Sequence, residues 1–190
     1  MRRIALVGDI GSGKTFLSKI FKYPVFNADL QVIELYKKDK FLFRKIKRKF
    51  PNNVTRFPIK KNEILKIIFK KKKNLKILGK LIHPFVRKKM NNFLKINKKQ
   101  KFVILDVPLF LENKLNTKKD VIIFVEADKE KIKQKLKKRK RINFKLINVL
   151  RQNQFPLRLK KRKATFVINN NFISKTAKKN VKFILKKIDK

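Results

Sequence analysis

Residues 8–15 read Gly-Asp-Ile-Gly-Ser-Gly-Lys-Thr, and this stretch restricts the fold more than any other part of the chain. The whole chain holds only four glycines, and Gly8, Gly11 and Gly13 fall within six residues of one another. A short apolar run, Ile4–Val7, comes before them. Phe16, Leu17, Ile20 and Phe21 follow at helical spacing. The pattern predicts a strand, a glycine loop and a helix in immediate succession, and it fits G-x-x-x-x-G-K-[ST]. Glycines let the main chain fold tightly enough for its N–H groups to converge on a phosphate, and the following helix N-terminus adds its dipole. A lysine at position 14 reaches the β- and γ-phosphates, and a hydroxyl at 15 suits Mg²⁺. Gly8, Gly11, Ser12, Gly13, Lys14 and Thr15 are therefore the expected ATP-binding residues, with Thr15 the expected metal ligand. Asp9 is out of place, because a carboxylate inside such a loop repels a triphosphate unless it turns away or meets a cation. It is expected at the surface, without a catalytic role.

The remaining pattern alternates strands with helices. Pro24–Asp29 predicts a second short strand ending in an acid, with a helix from about Leu30 to Lys38. Lys101–Val107, Val121–Glu126 and Thr165–Asn169 predict three further strands. Val121–Glu126 is continuously apolar up to its last residue, as a strand buried on both faces would be. Helices are expected over Glu130–Lys138, Asn143–Gln154 and Ser174–Ile188. Residues 41–100 contain no good strand, and their apolar positions suit amphipathic helices interrupted by Pro51, Pro58 and Pro84. The expected fold class is α/β, a parallel five-stranded sheet of P-loop NTPase type flanked by helices. Residues 1–190 form a single domain, with a helical insert at 41–100 and a lid at 135–160.

Composition excludes several classes. The chain has no cysteine, so disulfide scaffolds, zinc ribbons and thiol catalysis are out. No apolar run approaches the roughly 20 residues needed to cross a bilayer. The start, Met-Arg-Arg-Ile-Ala-Leu-Val-Gly, lacks the form of a secretory signal. A soluble, cytoplasmic chain without a membrane partner is expected. Lys and Arg total 56 against 12 Asp and Glu, a formal net charge of +44. Such a charge attracts nucleic acid, but lysine, isoleucine, asparagine and phenylalanine, all with A/T-rich codons, dominate the chain. The basic residues are also spread throughout. Compositional bias explains the charge more simply than a nucleic-acid partner, leaving only nonspecific binding that fades with salt.

The phosphate loop leaves several enzyme classes open, and Asn-Lys-x-Asp, the guanine signature of GTPases, is absent. In order, the chain carries the loop, Asn27-Ala28-Asp29, Ile82-His83-Pro84, Asp106-Val107-Pro108-Leu109-Phe110-Leu111-Glu112, and Ala164…Ile168…Asn170. This set resembles the dephospho-coenzyme A kinase family from the first strand to about residue 170. The resemblance implies transfer of the ATP γ-phosphoryl group to the ribose 3′-hydroxyl of dephospho-coenzyme A, with Mg²⁺. It implies Asp29 as base, Lys14 and Arg139 as charge-stabilising catalytic groups, and Asn170 on the nucleotide side. His83, Asp106 and Pro108 fall on the substrate side, with Asp106 also placed to hold Mg²⁺ through water. Glu112 is an acceptor-site acid or a structural one.

The chain departs from the family pattern at several places. Lys60-Lys61 stand where the family has Asp-Arg, and Gly79 occupies the place of an acid four residues before the histidine. Leu150 replaces an arginine four residues before Gln154, with Arg151 next door, and Ala164-Thr165 replaces Ala-Asp. The alternatives are a different small-molecule kinase, acting for instance on a nucleoside monophosphate, and an ATP-dependent nucleic-acid-binding protein.

Overall fold

Ile4–Val7, Phe102–Leu105 and Val121–Val125 are fully apolar and fully buried runs, so both faces of the sheet they form must be covered. The computed structural model describes residues 1–138 and 143–189. In chain order its elements are β1 (Arg2–Gly8), α1 (Lys14–Ile20), β2 (Val25–Asn27), α2 (Ala28–Lys38), α3 (Lys40–Lys49), α4 (Lys61–Lys70) and α5 (Lys73–Ile96). These are followed by β3 (Phe102–Asp106), β4 (Val121–Glu126), α6 (Lys129–Lys137), α7 (Phe144–Arg151), α8 (Leu157–Arg162), β5 (Phe166–Asn169) and α9 (Ser174–Ile188). The sheet runs β2-β3-β1-β4-β5, and every pairing is parallel.

Contacts divide the chain into two units, Met1–Asn27 with Asn97–Lys190, and Ala28–Ile96. The first unit holds the sheet. One core is built from Ile4, Leu6, Ile104, Ile123 and Ile168 of the strands with Leu17 and Phe21, and with Ala177, Val181, Ile184 and Ile188 of α9. That α9 spacing is the i, i+4, i+7 stripe of a helix lying on a sheet. A smaller cluster joins Ile132 and Leu136 of α6 to Ile147 of α7, with Ile10 of the glycine loop packed against it.

The second unit is helical. Leu42 and Ile46 of α3, Ile64, Ile67 and Ile68 of α4, and Leu78, Ile82 and Met90 of α5 are its buried apolar residues. Asn74 ties α5 to α4 by donating from Nδ2 to the Ile67 carbonyl at 2.8 Å.

Three local readings of the sequence need correction. Pro84 does not interrupt a helix but lies inside α5. A proline removes one helical hydrogen bond, and buried Leu78, Ile82 and Met90 hold the helix on both sides of it. The helix expected to reach Gln154 stops at Arg151, and Pro156 stands at the N-cap of α8, a helix the sequence reading lacked. The strand expected to end at Asp29 ends at Asn27, because β3, its pairing partner, ends at Asp106. Asp29 instead sits in the first turn of α2, where a negative charge meets the positive end of the helix dipole.

The lysine-rich stretch over α8 is not wholly a solvated face. Lys160 is completely buried, with Nζ 2.8 Å from Glu112 Oε1 and 3.1 Å from Gln154 Oε1. The Glu112 carboxylate also accepts from the Phe155 amide at 2.8 Å. Removing one partner of a buried ion pair leaves the other charge uncompensated, which costs far more than the intact pair contributes. Glu112→Gln is expected to destabilise the protein by about 3 kcal/mol in urea unfolding, and a Glu112→Leu/Lys160→Met double variant by clearly less.

Candidate functional site

The loop between β1 and α1 takes its shape from positions where a side chain cannot fit. Gly8 and Gly13 have φ values of +147° and +93°. A β-carbon on Gly8 would lie 2.5 Å from the Val125 carbonyl oxygen, and one on Gly13 would lie 2.1 Å from Asn170 Nδ2. The Asn170 amide donates to the Ser12 carbonyl at 2.8 Å, and its oxygen accepts from the Phe172 amide at 3.0 Å. Asn170, expected on the nucleotide side, is thus buried and supports the loop from behind. Lys14 folds over the loop, its Nζ 2.7 Å from the Asp9 carbonyl oxygen and 3.3 Å from that of Gly8.

Asp106 closes β3 at the carboxyl edge of the sheet. The parallel register sets it beside both Leu6 of β1 and Asn27 of β2. Its Oδ2 accepts from Thr15 Oγ1 at 2.6 Å and from Asn27 Nδ2 at 2.8 Å. A hydroxyl and a carboxylate are thus neighbours at the start of α1, and both are hard oxygen donors. Mg²⁺ prefers this kind of site, because it takes one or two protein oxygens and keeps the rest of its shell for phosphates and water. The residues present fit the metal. Of the residues singled out from sequence, the fold brings Gly8, Gly11, Ser12, Gly13, Lys14, Thr15, Asp106 and Asn170 together. Pro108 opens the turn after β3, in which the Phe110 amide donates to the Val107 carbonyl. Arg139 lies outside the described residues.

Sequence reasoning missed the partner of Asp9. Arg151 donates from Nε to Asp9 Oδ1 at 3.0 Å and from Nη2 to Oδ2 at 2.8 Å. The expectation that the carboxylate turns away or meets a cation pointed to the answer, but nothing in the spacing selects Arg151 from 56 basic residues.

In the helical unit, His83 lies on α5 in an open groove of about 630 Å³, lined also by Lys80, Arg87, Lys88 and Lys95. Its ring lies over Gly79, where a β-carbon would meet Cε1 and Nε2 at 3.3 Å. Burial first, and the Arg87 guanidinium second, hold the imidazole below the ordinary histidine range. The groove thus presents several cations and a largely neutral imidazole.

The dephospho-CoA kinase family, CoaE, matches residues 2–175 of the chain. The dephospho-CoA kinase of Bartonella quintana (strain Toulouse) is 33% identical over 174 residues, 89% of each chain. Among solved structures, TT1252 from Thermus thermophilus has the same fold at a TM-score of 0.77 and 22% identity, covering 98% of this chain and 97% of its own. The dephospho-CoA kinase from Campylobacter jejuni follows at a TM-score of 0.67 and 20% identity, covering 99% and 98%. Sheet order, loop and the Thr15–Asp106 pair define a phosphotransferase of the P-loop kinase class. Within that class, the chain belongs to the dephospho-CoA kinase family.

The state of His83 makes stability depend on pH. The unfolded chain takes up the proton near the ordinary value of about 6.5, while the folded chain resists it. Folding stability should therefore fall as pH drops below about 6.5, until the folded state also protonates. Thermal midpoints from pH 7.5 to 5.5 should decline more steeply for the wild type than for His83→Gln, and equal slopes would refute the assignment.

Proposed function

We propose that the protein transfers the γ-phosphoryl group of ATP to the ribose 3′-hydroxyl of dephospho-coenzyme A, giving coenzyme A and ADP. The observation that carries this reading is the meeting of Thr15, Asp106 and Asn27 beside a loop that holds Lys14, within a chain of this family. Loop N–H groups and the Lys14 ammonium hold the β- and γ-phosphates and offset the charge that spreads over the transferring group. Thr15 and Asp106 hold Mg²⁺, which neutralises phosphate charge when bound.

Asp29 follows Asn27 by two residues in the first turn of α2. In this reading it accepts the proton of the ribose hydroxyl as the oxygen–phosphorus bond forms and the bond to the β-phosphate oxygen breaks. The helical unit Ala28–Ile96 carries the acceptor, whose phosphates suit the lysines and Arg87 of the α5 groove. His83 positions that acceptor. Asn170 keeps the loop in shape, and Pro108 turns the chain on the acceptor side. The segment 135–160, with Arg139, acts as the lid that excludes water. The protein works in the cytoplasm, and its basic surface holds nucleic acid only nonspecifically.

Purified protein with Mg-ATP should release ADP only when dephospho-coenzyme A is added, with a product one phosphoryl group heavier by mass. Lys14→Met should abolish this release. Asp29→Asn should lower kcat by roughly 10²–10⁴-fold, the usual contribution of a general base, while ATP binding persists. Near-normal turnover in Asp29→Asn would remove it as the base.

A further inference from the structure

Asp9 is the only acid in the phosphate loop, where an uncompensated negative charge would weaken binding of any polyphosphate. Its atoms are fully engaged. Oδ1 accepts from the Ile10 amide at 2.6 Å and from Arg151 Nε at 3.0 Å, and Oδ2 accepts from Arg151 Nη2 at 2.8 Å. Its main-chain oxygen accepts from Lys14 Nζ at 2.7 Å. A single loop residue thus holds two cations, the lysine through its carbonyl and the guanidinium through its carboxylate.

The geometry of the pair matters. Asp9 takes the side edge of the guanidinium, formed by Nε and Nη2, and Nη1 makes no hydrogen bond to any described residue. An arginine can bind one anion along its side edge and another along its end edge, because its five donors form a rigid fork. A second tether acts on the same helix. Ile147 of α7 packs with Ile132 and Leu136 in the cluster that also takes in Ile10. The helix that ends in Arg151 thus shares an apolar cluster with α6 and Ile10 of the loop, and its last residue is joined to the loop at residue 9 by charge.

We propose that Asp9 is a positioning residue that docks Arg151 on the phosphate loop, with the end edge of the guanidinium presented to the terminal phosphate of the bound nucleotide. The pair carries no net charge, so it adds little to long-range attraction of nucleotides in general and acts only on one that has the terminal phosphate. It fixes a donor where charge gathers during transfer, and fixed donors accelerate reactions more than mobile ones do. This role rests on the reading of the loop as an ATP site.

The test compares wild type, Asp9→Asn, Arg151→Gln and the double variant. Acceptor-dependent ADP release gives kcat and the ATP KM, and calorimetric titration gives affinities for Mg-ADP and a non-hydrolysable Mg-ATP analogue. Arg151→Gln should lower kcat about 30-fold and also raise the ATP KM, because it leaves the Asp9 carboxylate uncompensated, whereas Asp9→Asn should lower kcat about tenfold with the ATP KM changed less than about threefold. The double variant should be no slower than Arg151→Gln, because residues acting as one unit are not additive. Each single variant should narrow the preference for the analogue over ADP. The ion pair is partly exposed, so thermal midpoints should stay within about 3 °C of wild type.

Wild-type kcat in Asp9→Asn, or losses that multiply in the double variant, would reduce the pair to an ordinary surface contact. Tighter binding of both nucleotides with a raised kcat in Asp9→Asn would overturn the proposal by making the carboxylate an obstacle. If the wild type released no ADP with dephospho-coenzyme A, the acceptor reading would fail. The analogue-to-ADP preference would still decide for or against the role of Asp9.

Discussion

Asn170 reaches the carbonyl of Ser12 across space that any β-carbon on Gly13 would fill, and the rest of the site depends on that approach. The contact ties the residue after β5 to the loop after β1. Gly8 meets the same constraint from β4, through the Val125 carbonyl. Both are steric conditions, met by omitting side chains, so the loop shape does not depend on the chain's composition. The chemistry is added at the loop's far end, where Thr15 reaches Asp106. The acid is in place because a parallel register sets β3 beside β1 and β2.

With twelve acids among 190 residues, the placement of negative charge carries unusual weight. Asp106 accepts from two side chains at the site. Asp9 holds Arg151, Glu112 holds the buried Lys160, and Asp120 pairs with Arg3 at the base of β1. The lysine surplus covers the surface, while these four acids occupy positions where the fold places a donor or a cation. The chain's large positive charge therefore says little about its partner.

Much of this was legible before any coordinates. The loop, the strand at Val121–Glu126 and the helix at Ser174–Ile188 follow from local pattern alone, because each is a continuous apolar run or a clean helical stripe. What escaped had non-local causes. Pro84 is tolerated because α5 is buried on both sides of it, and β2 ends early because its neighbour does. Lys160 looks like one lysine in a basic block until Glu112, 48 positions earlier, is seen beside it. The Asp9–Arg151 pair spans 142 positions, and no periodicity links them. Sequence identified Asp9 as anomalous and named the kind of solution it required, but only the fold, which brings the end of α7 to the loop, selects the partner.

The two donors converging on Asp106 bear on how such a chain withstands mutation. A single purine transition turns an aspartate codon into asparagine and a glutamate codon into lysine, the direction in which an A/T-rich genome drifts. At Asp106 that change would leave one accepting oxygen for the two donors but remove the negative charge and replace the second oxygen with a donor. At Glu112 it would set a second ammonium against one that is already fully buried. The mutational load on this protein is thus concentrated in the few codons whose acids hold a buried or site partner, such as Asp106 and Glu112.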